Sequence, residues 1–268
     1  MLSRLRPRLM TTGARTRQSR RQASAFTDAL RLAPVQDRAM TVIRAVVLST
    51  LIALPLAAAW GVRGDLPAAS GAPASHPGFS IVAAPIDSAR RAAMLATGSW
   101  HAGCPVAISQ LRSLRVGYWG FDRRPHAGVL VVNRAAIVPL SRVFRALWRA
   151  RFAIRRMAPV EAYGASDERS MAADNTSAFN CRRVPGSSGW SQHAYGLAVD
   201  VNPLENPEVR AGVVDPPSAA RYADRRLRAT GMIHPGDAAV NAFAAAGWAW
   251  GGDWHSLKDW QHFSANGL

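Results

Sequence analysis

The 268-residue sequence predicts an α+β domain, a small and mostly antiparallel sheet flanked by helices. Two strand-like runs, residues 114–121 and 127–132, are joined by the turn-type stretch Asp122-Arg123-Arg124-Pro125. Behind them, Leu140, Val143, Phe144 and Leu147 recur at the spacing of one helix face. Strand and helix patterns then alternate without a glycine-rich phosphate loop and without an internal repeat.

Ahead of that domain the chain changes character. Residues 1–39 are rich in Arg, Ser, Thr and Ala and read as an unstructured basic leader, with the true start expected at Met40. Residues 40–63 carry an uncharged stretch, 45–62, behind Arg44, ending in small residues that include Ala57-Ala58-Ala59. A positive flank, an apolar middle and small residues predict a secretory signal, and 18 residues also suffice for a tilted membrane anchor. The expected location is therefore outside the cytoplasm, secreted or membrane-anchored. Residues 64–98 read as a Pro/Ala/Gly/Ser-rich linker with a short helix at 87–97, and residues 99–268 as one domain.

Within the domain, Asn133 can cap the helix that carries Leu140 to Leu147. Residues 154–162 are expected to be extended. A later helix starts near Asp237, buries Val240, Phe243 and Ala244, and stops at Gly247. The two cysteines, Cys104 and Cys181, are predicted to pair in an oxidising compartment.

The net charge is +16, from 32 arginines and the single Lys258 against 17 acids. Residues 1–44 hold ten of the arginines against Asp28 and Asp37, a net of +8 ahead of the export segment. The remaining excess suits an anionic wall polymer or a soluble surface, and no nucleic-acid motif accompanies it, so no nucleic-acid partner is expected.

Two segments carry chemistry. In Ser191-Gln192-His193-Ala194-Tyr195-Gly196-Leu197-Ala198-Val199-Asp200, alternation places Leu197 and Val199 on one face, and Ala198 and Asp200 on the other. Gly196 permits a bend that brings His193 to the side of Asp200, a pairing that suits either a metal or a buried ion pair. The second segment runs Trp248-Ala249-Trp250-Gly251-Gly252-Asp253-Trp254 and then Asp259-Trp260-Gln261-His262-Phe263. On a strand Asp259 and His262 would face opposite ways, whereas a helical turn would let them share a side. Two imidazoles and one carboxylate with a vacant position form a typical catalytic zinc set. The tryptophans at 248, 250, 254 and 260 read as core, His255 as an exposed loop residue, His76 as part of the linker, and His101, His126 and His234 as non-ligands without a carboxylate at a useful spacing.

Taken together, SxHxxGxAxD, Gly-Gly-x-Trp and a C-terminal DxxHF resemble the VanY-like zinc peptidases. That family holds D-alanyl-D-alanine carboxypeptidases and L-alanyl-D-glutamate endopeptidases and shares its fold with the hedgehog signalling domain. The stretch from Ser170 to Arg182 resembles its actinobacterial branch. The resemblance covers about residues 100–268. It implies one Zn2+ held by His193, Asp200 and His262, with Asp259 as general base, and a peptidoglycan peptide as substrate. It also implies an arginine facing the substrate carbonyl, commonly in a Tyr-Arg pair. Here that pair reads Tyr163-Gly164, which leaves Arg182 and Arg169 as candidates. A non-catalytic zinc domain that binds the wall or signals is the rival expectation.

Overall fold

A computed structural model describes residues 78–268, and the expected leader, the export segment and most of the linker lie outside the described residues. Mixed α and β structure is found as expected, but the strands form three small antiparallel sheets rather than one.

The first sheet orders β1 (Ile81–Pro85), β2 (Leu111–Trp119) and β3 (Pro125–Asn133). β2 and β3 are the expected hairpin, paired from Leu111↔Asn133 to Trp119↔Pro125. β1 falls in the stretch expected to be linker, yet pairs along β2 from Ile81↔Val116 to Pro85↔Arg112. The folded unit therefore begins ahead of residue 99. Helix α1 (Ser88–Thr97) follows, with the Asp87 carboxylate accepting from the Arg90 amide as its cap.

Strand alternation sorts the first sheet onto two cores. Leu114, Val116, Leu130 and Val132 pack with Leu140, Val143, Phe144 and Leu147 of α2 (Ile137–Arg149) and with Phe243 of α4 (Ala238–Ala245). Leu111 and Val131 pack instead with Met94 of α1, Phe179 and Cys181. In α4 the buried face is Ala239, Ala242 and Phe243, at i, i+3 and i+4, so Val240 is half-buried and Ala244 exposed, contrary to the expected register. Residues 154–162 form no strand either. Isolated bridges tie Ala153 to Trp119 and Met157 to Thr176, and a 3-10 turn Val160–Tyr163 takes over after Pro159, which has no N–H to continue a ladder.

Cys104 and Cys181 are joined in a disulfide spanning 77 residues. It ties the loop after α1 to the segment carrying Arg182, and the Cys181 amide also donates to the Ser99 carbonyl. Closing so long a loop contributes about 4–5 kcal/mol in the chain-entropy model. Cys104→Ala with Cys181→Ala should therefore lower the unfolding free energy by about that amount, read as a lower urea midpoint; an unchanged midpoint would show that the unfolded chain is not restrained by this link.

Asp174 and Glu205 form a carboxylate pair, both almost fully buried. The Arg155 guanidinium reaches Asp174 at 3.4 Å and Glu205 at 3.6 Å while stacking on Phe121. Burial, with the Asp174 carboxylate beside it, pushes the Glu205 carboxyl up from 4.5 to about 8. The folded state thus keeps a proton that the unfolded chain loses near 4.5. This contribution is complete below that pH and lost as pH rises through about 8. Thermal midpoints are expected to fall as pH rises from 5 to 9, and Glu205→Gln should flatten that slope.

Candidate metal centre

His193 lies in a 3-10 turn, Gln192–Tyr195, capped by the Ser191 hydroxyl, which accepts from the His193 amide. Gly196 ends the turn at φ +67, and a Cβ there would meet the Asn133 amide nitrogen at 2.6 Å. The bend required in the sequence is present. β4 (Ala198–Asp200) follows directly and delivers Asp200 at its end.

β4 pairs with β9 (His262–Ser264), which in turn pairs with β7 (Ala249–Trp250). The register sets Asp200 directly opposite His262, and directly opposed residues project from the same face. Asp259 belongs to a different sheet, ordered β6 (Val213–Asp215), β5 (Glu208–Arg210) and β8 (Lys258–Asp259). The expected helical turn between Asp259 and His262 is not formed. Instead Trp260 and Gln261 carry the chain from one sheet to the other, which removes the opposite-face problem of i, i+3 residues on one strand. The crossing is tight: a Cβ on Gly251 would lie 2.6 Å from the Asp259 carbonyl oxygen and 3.3 Å from the His262 Cβ. Trp248 and Trp250 are buried core, as expected, and the Trp250 indole donates to the Trp260 carbonyl at the crossing.

The result is a convergence of donors. His193 Nε2 lies 3.1 Å from Asp200 Oδ2, His262 Nδ1 lies 3.1 Å from Asp200 Oδ1, and the two ring nitrogens are 3.2 Å apart. The outer nitrogens are committed elsewhere. His193 Nδ1–H donates to the Ala178 carbonyl, and His262 Nε2–H to the Leu268 carbonyl, 3.0 Å away. These bonds fix both tautomers, so three electron-pair donors face one another in a buried space with no donor hydrogen among them. Such a set is stable only around a cation or shared protons. Without a metal the protons fill that role: burial alone would raise Asp200, yet His193 and His262 hold its carboxyl far below the usual range. Burial alone would likewise lower His262, but Asp200 and Asp259 raise it. The donor set, two nitrogens and one oxygen, fits zinc. The other cluster of the same kind, His101, Cys104 and Cys181, has its sulfurs locked in the disulfide.

Asp259 is buried, and its Oδ1 has no hydrogen-bond partner. Burial pushes its carboxyl up to about 7, with Asp200 and Glu208 raising it against the pull of His262 and Arg182. All four side chains line one cleft of about 1210 Å³. Arg182 lines it too, ion-paired with Asp167, and its charge acts on Asp200 and Asp259. Arg169 does not; its guanidinium donates to the Tyr163 and Gly164 carbonyls and closes the turn where the Tyr-Arg pair was expected. His255 is exposed at the cleft wall, and His126 Nε2 lies 2.9 Å from Asp122 Oδ1, a carboxylate four residues away that the sequence reading passed over, although His126 joins no metal-competent set among the described residues. Sequence reasoning passed over Glu208 and Asp215, although the pattern Glu208-Val209-Arg210-Ala211-Gly212-Val213-Val214-Asp215 is a hairpin signal that would have placed them side by side.

No curated protein and no solved structure matches the chain. A family model described as D-alanyl-D-alanine carboxypeptidase matches residues 185–265, the stretch containing His193, Asp200, Asp259 and His262. That stretch carries both His-Asp motifs, and over it the chain is similar to the D-alanyl-D-alanine carboxypeptidases.

Proposed function

We propose that the protein is a zinc-dependent hydrolase of an amide bond in peptidoglycan peptides, acting outside the cytoplasm after export through the segment at 45–62. One observation carries the reading: three buried donors converge beside a buried carboxylate, Asp259, that lacks a partner. His193, Asp200 and His262 would hold a zinc ion, which would supply Lewis acidity and activate a water near neutral pH. Asp259 would accept a proton from the attacking water as the water oxygen bonds to the amide carbon. It returns the proton to the leaving nitrogen as the C–N bond breaks. Arg182, on the same cleft, contributes positive charge toward the developing oxyanion.

Digestion of purified peptidoglycan by the zinc-loaded protein, read by mass spectrometry with and without chelator, tests the proposal. Chelator-sensitive release of peptide fragments is expected. Tight zinc binding with intact wall peptides would instead favour the non-catalytic wall-binding alternative.

A further inference from the structure

The outer face of α2 carries a row of arginines without acids. Residues 134–156 hold seven arginines and no Asp or Glu, and all seven arginines are exposed. Arg155 alone of the seven is ion-paired among the described residues, with Asp174 and Glu205. Elsewhere Arg90, Arg210 and Arg226 each have a carboxylate partner. The buried stripe Leu140, Val143, Phe144 and Leu147 sets the orientation of the helix. At about 100° per residue, Arg142, Arg145 and Arg149 fall within about 60° of one another on the side away from that stripe, and span about 10 Å along the axis. Like charges at i, i+3 and i, i+4 destabilise a helix, so the row costs stability until an anion covers it.

Aromatic rings brace the row. The Arg145 guanidinium sits 5.2 Å from the centroid of the Phe79 ring, and that of Arg151 5.0 Å from the centroid of Trp119. Both rings pack on Trp148, at 6.0 and 5.0 Å. A guanidinium stacked on a ring keeps its N–H edge available to an anion and has less side-chain freedom to lose on binding.

The shape of the face selects among anions. A helix that lies in a bilayer buries apolar side chains beside its basic ones, whereas the apolar stripe of α2 faces the core, and Val138 is the one large apolar side chain exposed in residues 134–156. Single-stranded nucleic acid stacks its bases on open rings, but Trp119 is buried, and Phe79 and Trp148 are half-buried against each other. We infer that this face docks a linear polyphosphodiester of the wall, a chain of phosphates joined by small polyols. No residue before Asp167 lines the cleft, so a polymer on α2 leaves the cleft open to a peptide. Docking requires the location outside the cytoplasm proposed above, but not the hydrolysis.

The test measures binding of the full zinc-loaded chain to polyglycerol phosphate across a salt series, beside oligothymidylate and phosphatidylglycerol vesicles at equal phosphate. The triple variant Arg142→Gln, Arg145→Gln, Arg149→Gln is compared with Arg91→Gln, Arg115→Gln, Arg221→Gln, which removes the same charge from exposed positions outside α2. The first triple should weaken polymer binding about 10–100-fold at low salt and reduce the slope of log K against log salt by about two to three. The second should change affinity by less than about threefold. Residues 1–44 are common to all three proteins, so their charge cancels in these ratios. Equal losses in the two triples would reduce the effect to net charge and overturn the docking face, as would no measurable binding of the polymer by the wild type. Tighter binding to vesicles or to oligothymidylate, lost with the first triple, would overturn the wall polymer in favour of a membrane or a nucleic acid. The thermal midpoint of the first triple should hold or rise as like charges are removed; a fall would make the arginines structural and overturn the inference.

Discussion

Alanine in place of His193, Asp200 or His262 is expected to abolish stoichiometric zinc binding and to take peptide hydrolysis below detection. Each of these side chains supplies one of three donors packed within 4.8 Å of one another, and no fourth His or carboxylate joins the set among the described residues. Even outer partners of a metal site cost about 10–100-fold in affinity when removed, and direct ligands should cost more. The alternative account, a buried ion pair of Asp200 with two imidazoles, makes the opposite prediction. In that case the wild-type protein would hold no zinc, and added zinc would leave its thermal midpoint unchanged. A protein that binds zinc in its folded state is stabilised in proportion to ln(1 + [Zn]/Kd), so the midpoint should climb with zinc in the wild type and stay flat in all three variants. Retained metal in one of them would remove that residue from the ligand set.

The turn that brings His193 beside Asp200 was legible in the sequence because it is local, whereas the full ligand set was implied only by the resemblance. Alternation in β4 put Asp200 and Ala198 on one face, Gly196 supplied the bend, and both features are found. The hairpin of β2 and β3 and the apolar stripe of α2 were legible for the same reason, since each pattern is complete within about 20 residues. Sheet membership was not. Whether Asp259 and His262 share a face depends on Glu208 pairing with Asp259 and on Asp200 pairing with His262, contacts separated by some fifty residues or more that no local pattern encodes. β1 was hidden because Ile81-Val82-Ala83-Ala84-Pro85 is a short apolar run without alternation, close behind the Pro/Ala/Gly/Ser-rich stretch. The carbonyls of Ala178 and Leu268, which orient the two imidazoles, are backbone groups with no side-chain signature at all.

Asp259→Asn is expected to keep zinc and fold while losing about 10²–10⁴-fold in kcat, the typical cost of a missing general base. Asparagine fills the same volume in the tight crossing beside Gly251, so β8 and its pairing with Glu208 should persist. What it cannot do is take a proton near neutral pH. The carboxyl of Asp259 sits at about 7 in the buried cleft, and a bound dication pulls it lower. The base works only when ionised, so wild-type kcat/KM should fall as pH drops through a value at or below about 7. That acid limb should be missing from the residual activity of the variant. A purely structural role would behave differently: zinc content or stability would fall with turnover, and the acid limb would survive. Zinc content, thermal midpoint and the pH profile of a wall-derived peptide, all measured on one preparation, separate the two. Near-wild-type turnover would remove Asp259 from the reaction, while lost zinc would make it a support of the metal site.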